Sequence, residues 1–304
     1  MPPSKLLPLS EAVQRFVLDG AAVALGLSLE TAIPFAFGHE VIRQKKRRLT
    51  LIGPISDILF DQLIGAGCVD RVRAAWVGNV ITGIGYNYQR AVENGSIAVE
   101  HHSNFTISLA LKAASMGVPF LPALTALGSD ILNENPSITT MSCPFTGNRL
   151  AAIAAIRPDV AVVQVQRSDV AGNAHVWGCL GITREACMAA ESVLLLAEEI
   201  VSSDVIFRDP NRVLIPGFRV SAVAHVPWGA YPSPMPGYYN RDHEEFLRYK
   251  NRSKRPEDFE RWLQSDVDDI PDRDTYMRIC IGEDRLQALA IHNHSIAEGV
   301  DYGY

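Results

Sequence analysis

The tripeptide Glu93-Asn94-Gly95 is the first place in this sequence where covalent chemistry could occur. A glutamate in such a turn could attack a thioester to give an acyl anhydride, and then a glutamyl thioester. However, the residues before it have the pattern of a helix, and a strand-like run begins at Ser96. An Asn-Gly pair at that position is a common helix ending, with the glycine in the left-handed conformation. We therefore interpret Glu93 as part of a helix end and not as a nucleophile.

Three loops rich in small residues each follow an apolar, strand-like run. They are Gly53-Pro54-Ile55-Ser56-Asp57, Gly78-Asn79 with Gly83 and Gly85, and Gly128-Ser129-Asp130. Parallel strands bring such loops to one edge of a sheet, where open α/β proteins bind ligands. In the first loop, backbone amides, the Ser56 hydroxyl and the next helix N-terminus could hold a carboxylate or thioester oxygen. The alternative is that Ser56 and Asp57 only cap that helix.

Nucleotide and metal sites are not indicated. The glycines around Gly83 lack the full spacing of a dinucleotide-binding loop. In Glu100-His101-His102, successive strand side chains point to opposite faces, so both imidazoles cannot easily serve one metal. We favour a polar strand end there and keep Glu100 as a possible acid–base group. His243-Glu244-Glu245 lacks the second histidine of a zinc-protease motif, and His292-Asn293-His294 has no further ligands at a useful spacing.

Two further polar groups also follow strand-like runs. Asp169, Gly172 and Asn173 have the spacing of a tight structural turn. Glu198 and Glu199 end the next run, where a buried carboxylate could either bind turn amides or face a cleft. The sequence leaves both possibilities open for this pair.

The elements that must position these groups alternate along the chain. Helical patterns cover residues 11–18, 35–44, 58–67 and 107–117, and strand-like runs cover 21–27, 49–53, 72–78, 96–100, 119–124, 159–165 and 192–199. This alternation predicts an α/β fold with an open, mostly parallel sheet and helices on both faces. No repeat or long linker divides the chain, so we expect one domain over residues 1–304.

The last quarter of the chain has a different character. Residues 226–242 are rich in Pro, Gly and aromatic residues, and residues 251–267 are strongly charged, with Phe259, Trp262 and Leu263 at helical spacing. An ordered-looking loop followed by a polar helix is typical of an excursion that covers a cleft or a neighbouring chain. We expect such an excursion at about residues 226–270.

Composition narrows the possible partners and location. The chain has 304 residues, 47% of them hydrophobic, so it can bury a substantial core. A net charge of -6 argues against nucleic acid or an anionic membrane as the main partner. Five cysteines without a CxxC pair fit reduced thiols. No window approaches the roughly 18 apolar residues of a membrane span, so a soluble, cytoplasmic protein is expected.

Several stretches together resemble the α-type chains of family I CoA-transferases, closest to the glutaconate CoA-transferase type. The resembling stretches are ALGLSLETAIPFAFGHEVIRQ, LIGPISDILFDQLIGAG, AVENGSIAVEHHSNFTISLALKAASMGVPFLPAL with Gly128-Ser129-Asp130, RPDVAVVQVQRSDVAGNAHVWG and EEIVSSDVIFRDPNRVLIPGFRVSAVAHVPWGAYPS. They cover about residues 10–270 in the family's order, which is more specific than any one motif.

The resemblance implies an open α/β fold, pairing of α and β chains in a hetero-oligomer, and an active site at their junction. In the family the catalytic glutamate comes from the β subunit, so this chain would hold the acyl group of a coenzyme A thioester substrate, without a bound cofactor. The positions that match the family's acyl-holding loops are Gly53, Ser56, Asp57, Asn79, Gly128 and Ser129.

The sequence also departs from the family at two loops. Gly26-Leu27-Ser28 stands where many α-type chains have Gly-Gly-Phe, and GPISD replaces a glycine-rich run. Bulkier residues narrow the pocket, which puts glutaconate in doubt as substrate. A related branch comprises ring-cleaving hydrolases that act on CoA thioesters in steroid-ring degradation. Ser28, Ile55 and Trp76 would suit a larger, less charged acyl group, and Glu100 would then act as the acid–base group. A noncatalytic chain that only stabilises its β partner is the third possibility.

Overall fold

The structure is a computed structural model that describes residues 4–292. Its strands are β1 (Ala22–Ala24), β2 (Leu49–Ile55), β3 (Val69–Trp76), β4 (Gly78–Asn79), β5 (Gly83–Ile84), β6 (Ala98–His101), β7 (Phe120–Ala123), β8 (Ile138–Ser142), β9 (Arg149–Ala154), β10 (Val160–Ser168), β11 (Ala174–His175), β12 (Ser192–Ile200), β13 (Val213–Ile215) and β14 (Ala222–His225). Its α-helices are α1 (Leu9–Phe16), α2 (Phe35–Arg43), α3 (Asp57–Gly65), α4 (Tyr86–Glu93), α5 (Asn104–Ser115), α6 (Ile131–Glu134), α7 (Thr183–Ala189), α8 (Ser203–Arg208), α9 (His243–Ser253), α10 (Pro256–Leu263), α11 (Arg273–Tyr276) and α12 (Glu283–Leu289).

Seven parallel strands form the centre of the main sheet, in the order β14-β12-β10-β1-β2-β3-β6. The two remaining strands are antiparallel: β11 pairs with the end of β10, and β13 pairs with β11. The loops that leave β1, β2 and β3 therefore emerge at one edge. The predicted open, mostly parallel sheet is confirmed.

Helices cover both faces of this sheet because the strand side chains alternate between two cores. Leu194 and Leu196 of β12 face the core that contains α1, α2 and α3. Val193 and Leu195 of the same strand face the core that contains α5 and α7. Apolar residues on both sides of a strand are expected in a parallel sheet that is covered on both faces.

One predicted strand lies elsewhere. Residues 119–124 contain β7, which does not join the parallel sheet but pairs antiparallel with β9 in a three-stranded sheet of order β7-β9-β8. Pro122 lies within β7 and lacks an N–H, so this strand suits a sheet edge. Its residues alternate between exposed and half-buried, whereas central strands such as β10 are almost wholly buried.

The excursion at 226–270 contributes to the main core. Phe246 and Tyr249 of α9, with Phe259 and Trp262 of α10, belong to the same core as α2 and α3. Tyr249 Oη also donates a hydrogen bond of 2.8 Å to the buried carboxylate of Asp61 in α3. The excursion is thus attached to the sheet's helical layer. The single-domain organisation stays a prediction.

No helix within residues 4–292 is both long enough and apolar enough to cross a membrane. All five cysteines are free thiols, and Cys68 and Cys187 are buried.

Candidate functional site

The first two loops at the carboxyl edge of the sheet, 25–32 after β1 and 53–57 after β2, are in direct contact. Gly26 has a φ of 66°, and a Cβ at this position would lie 2.0 Å from Ser56 Oγ. A Cβ on Gly53 would lie 2.3 Å from the carbonyl oxygen of Leu25. Such distances are far below van der Waals contact, so only glycine allows this approach.

Ser56 takes part in this contact through its hydroxyl. Its side chain is fully buried and donates a hydrogen bond of 3.0 Å to the carbonyl oxygen of Leu25. Ser56 occupies the N-cap position of α3, but its side chain makes no capping hydrogen bond. The interpretation of Ser56 as a side-chain cap is therefore wrong, and its contact with substrate stays a prediction.

Asp57 is the buried acid of the second loop. It has a φ of 53°, an unusual value for a residue with a Cβ, and is fully buried. Its Oδ2 accepts a hydrogen bond of 2.8 Å from Arg241, which also binds Glu30 at 3.1 Å. Burial raises the pKa of Asp57 to about 7, although the charge of Arg241 and the proximity of Asn79 work in the opposite direction. Asp57 Oδ1 has no hydrogen-bond partner.

Asn79 brings the third loop to the same acid. Its Oδ1 accepts hydrogen bonds from the amides of Ile81 and Thr82, at 2.8 and 3.2 Å, which fixes the β4–β5 hairpin. Its Nδ2 is buried and, although it lies near Asp57, it has no partner of acceptable geometry. The ends of β2 and β3 therefore present one buried acceptor and one buried donor, both unpartnered. Such groups are rare in native proteins unless a ligand or water satisfies them.

Gly128 and Ser129 occupy a different setting from the one predicted. They follow β7, which belongs to the antiparallel sheet, so the expectation that parallel strands bring this loop to the same edge is wrong in its premise. Ser129 Oγ donates to the carbonyl oxygen of Ala126 at 3.1 Å, and both predicted residues are exposed. Among the hydrogen bonds of residues 4–292, none joins them to Ser56, Asp57 or Asn79. Their substrate role stays a prediction.

Glu100 lies in a separate buried network at the end of β6. It forms an ion pair of 3.0 Å with Arg73 and accepts a hydrogen bond of 2.7 Å from Ser137, and His102 Nε2 lies 3.3 Å away. Burial acts to raise the pKa of Glu100, but these three partners outweigh it and hold the pKa at about 2. His101 is exposed whereas His102 is buried, so the two imidazoles do point apart. A carboxylate held so strongly in its ionised form is a weak proton acceptor near neutral pH.

Glu93 ends a helix, as predicted. Gly95 has a φ of 70°; its amide donates to Val92, and the amide of Ser96 donates to Ala91. These two hydrogen bonds form a Schellman motif. Glu93 itself is exposed.

The two remaining polar groups are structural. Asp169 Oδ1 accepts hydrogen bonds from the amides of Ala171 and Asn173, which confirms the predicted turn. Glu198 is buried and accepts a hydrogen bond of 2.6 Å from the Trp228 amide, so of the two open possibilities it takes the one that binds a turn amide. Burial raises its pKa to about 7, against hydrogen bonds from Tyr239, Trp228 and Gln164.

Within the described residues, no group of three or more His, Cys, Asp or Glu side chains is arranged to hold a metal. His243 begins α9 and is exposed. Asn293 and His294 lie outside the described residues.

Comparison with known proteins decides the family. The sequence model of the coenzyme A transferase family matches residues 7–225. This chain belongs to the coenzyme A transferase family. It is 39% identical to the α-type subunit of the 3-oxoadipate CoA-transferase of Pseudomonas knackmussii, over 86% of this chain and 92% of the relative. It is 29% identical to the α-type subunit of the glutaconate CoA-transferase of Acidaminococcus fermentans, over 98% and 97%.

Solved structures agree with this assignment. The crystal structure of the Acidaminococcus fermentans glutaconate CoA-transferase matches with a TM-score of 0.89, covering 95% of this coenzyme A transferase chain and 96% of that chain at 29% identity. A variant of the decarboxylase AibA/AibB matches with a TM-score of 0.74, covering 87% and 100% at 31% identity. The cholesterol ring-cleaving hydrolase IpdA subunit of Mycobacterium tuberculosis is more distant, at 27% identity over 78% and 86%. The resemblance to glutaconate-type α chains is thus confirmed, and the hydrolase branch is related.

Arg241 and Glu30 were not predicted as site residues. Arg241 is 184 residues from Asp57 in the chain, and no local spacing connects them. The one available signal was the expectation that residues 226–270 cover a cleft.

Proposed function

We propose that this chain is the acyl-binding α subunit of a two-subunit CoA-transferase, which exchanges CoA between an acyl-CoA and a carboxylic acid. The observation that carries the proposal is the unpartnered pair of Asp57 Oδ1 and Asn79 Nδ2 at the carboxyl edge of the sheet. These atoms can bind an oxygen of the acyl group. The nearby carboxylates of Glu30 and Asp57 are both paired with Arg241, so neither is suited to act as a free nucleophile.

In the proposed reaction, the thioester carbonyl carbon is attacked by a glutamate of the β subunit. The C–S bond breaks, CoA leaves as a thiolate, and an acyl–glutamyl anhydride forms. The thiolate then attacks the glutamyl carbonyl, which releases the carboxylic acid and leaves a glutamyl-CoA thioester. An acceptor carboxylate reverses these steps and departs as its CoA thioester. This chain would orient the acyl oxygens with Asn79 and Asp57 throughout the exchange.

The β4–β5 hairpin supports the proposed site of the β subunit. Val80, Ile81 and Ile84 are 60%, 45% and 45% exposed, and they lie directly beside Asn79. Three exposed aliphatic side chains on one short hairpin are typical of a protein–protein contact. A partner bound there would bring its glutamate to the acyl pocket and exclude water from it.

Hydrolysis of a CoA thioester, as in the ring-cleaving branch, is the second candidate function. The buried pair of Glu100 and His102 favours it, since this pair could orient a water molecule. The low pKa of Glu100 makes it the weaker candidate. A purely stabilising chain is disfavoured, because it would have no use for unpartnered polar atoms at the sheet edge.

The test is co-expression of this chain with the β-type chain encoded beside it. The purified complex is given an acyl-CoA donor, with 3-oxoadipate or glutaconate as acceptor, and the products are separated by chromatography. Transfer predicts a new acyl-CoA that depends on the acceptor, and its loss in Asn79→Ala. Acceptor-independent release of free CoA would support hydrolysis, and turnover by this chain alone would contradict both.

A further inference from the structure

Arg241 lies beyond residues 7–225, the part of the chain that the family model matches, yet its side chain reaches the acyl pocket. We infer that Arg241 is a positioning residue of this pocket: by binding Asp57 and Glu30 together, it fixes the orientation in which Asp57 Oδ1 faces the substrate. This inference rests on the proposed function, because it assigns a role within the same acyl-binding site.

The guanidinium is held in place on several sides. Its Nη2 lies 2.8 Å from Asp57 Oδ2 and its Nη1 lies 3.1 Å from Glu30 Oε2. Its carbon Cζ lies 4.7 Å from the centre of the Phe246 ring, and only 12% of the side chain is exposed. Asp242, the next residue, caps α9 and pairs with Arg285, so the backbone beside Arg241 is also fixed.

The excursion contacts the first loop independently of Arg241. Ser233 Oγ donates a hydrogen bond of 2.7 Å to the carbonyl oxygen of Glu30, and the Ala32 amide donates one of 3.0 Å to the carbonyl oxygen of Pro234. These hydrogen bonds keep the excursion over the pocket when the arginine is replaced. A substitution of Arg241 therefore tests its charge and fork geometry more than the presence of the covering segment.

The two loops that Arg241 joins have unusual backbone conformations. Leu29, Ala32 and Asp57 have φ values of 63°, 54° and 53°. Residues with a Cβ keep such values only where the surrounding structure imposes them, and such positions cluster at functional sites. The two ion pairs of Arg241 are contacts that can impose them, because they connect the first loop to the second.

The charges around Asp57 give this role a specific signature. The charged groups that face Asp57 are Arg241, from the excursion, and Glu30, from the first loop. Burial raises the pKa of Asp57 to about 7, and the positive charge of Arg241 opposes that rise. An adjacent arginine commonly lowers a carboxyl pKa by about 1–3 units. Removal of Arg241 is therefore expected to move the titration of Asp57 to higher pH, by about that amount.

The experiment compares Arg241→Met and Arg241→Lys in the complex with the β subunit. Arg252→Met is the matched control, since Arg252 forms a 2.7 Å ion pair with Asp266 in the same excursion but does not contact the loops. The readout is kcat/KM for the acyl-CoA donor against pH. We expect Arg241→Met to lower kcat/KM by about tenfold or more and to move the inflection near pH 7 upward by about 1–3 units. Arg241→Lys and Arg252→Met should keep the wild-type inflection.

The opposite results are equally distinct. Lower activity of Arg241→Met with an unmoved inflection would assign Arg241 a merely structural role and overturn the inference, as would an equal effect of Arg252→Met. If Arg241→Met fails to assemble, Asp57→Asn takes its place: the inflection should disappear, and its persistence would overturn the inference. A wild-type complex without any transfer activity would instead contradict the proposed function itself.

Discussion

Gly26 is the position where a single methyl group should do most harm to the site. A Cβ there would lie 2.0 Å from Ser56 Oγ, 2.7 Å from Ser56 Cβ and 2.8 Å from the carbonyl oxygen of Ile55. The φ of 66° adds a cost of about 1–2 kcal/mol for any residue with a Cβ. Overpacking against buried groups adds about 1–3 kcal/mol. We therefore expect Gly26→Ala to lower the free energy of unfolding by about 2–5 kcal/mol.

Gly20 provides the matched control. It has a φ of 85°, but a Cβ there would meet nothing within 4 Å, so Gly20→Ala should cost only the backbone contribution of about 1–2 kcal/mol. Urea denaturation of the full chain, followed by tryptophan fluorescence, measures both variants. If the two variants lose the same stability, the close approach of the first and second loops is refuted. Gly26→Ala should also lower transfer activity at temperatures where it remains folded, because it displaces Ser56 beside Asp57.

Three further predictions concern the partner, the helix-end glutamate and the buried acid of β12. Ile81→Asp should prevent co-purification with the β subunit, because it places a charge on the proposed contact; Val92→Asp, at a similarly exposed position on α4, should not. Glu93→Gln should retain full transfer activity, and a loss of more than about tenfold would show that Glu93 does take part in chemistry. Glu198→Gln should make the pH dependence of stability shallower in unfolding experiments. Burial raises the pKa of Glu198 from 4.5 to about 7, so the folded state holds a proton that the unfolded state loses, and wild-type stability falls as pH rises through this window.

Features set by local sequence were predictable. The end of α4 follows from Asn94 and Gly95 alone, since a Schellman motif needs only the last turn of the helix and the two residues after it. The parallel sheet follows from apolar runs that alternate with helices. The grouping of Asp57 with Asn79 follows from the rule that parallel strands end at one edge.

Features set by pairing between distant segments were not predictable. The run around β7 has the apolar content of a strand, but the sequence does not specify which strand it pairs with, and this misplaced Gly128 and Ser129. Arg241 was missed for the same reason, because its contact with Asp57 depends on how the excursion folds back over the sheet. Burial of Glu100 beside Arg73 likewise required the register of β3 against β6.

The most direct test of the central claim is to locate the CoA adduct in the reconstituted complex. The complex is incubated with acyl-CoA, one half is analysed by intact-mass spectrometry, and the other half is treated with borohydride, which reduces a glutamyl thioester to the alcohol. We predict that the CoA adduct and the reduced glutamate are found on the β subunit, whereas Glu93 and Glu100 of this chain stay unmodified. A CoA adduct on either of these glutamates would contradict the account.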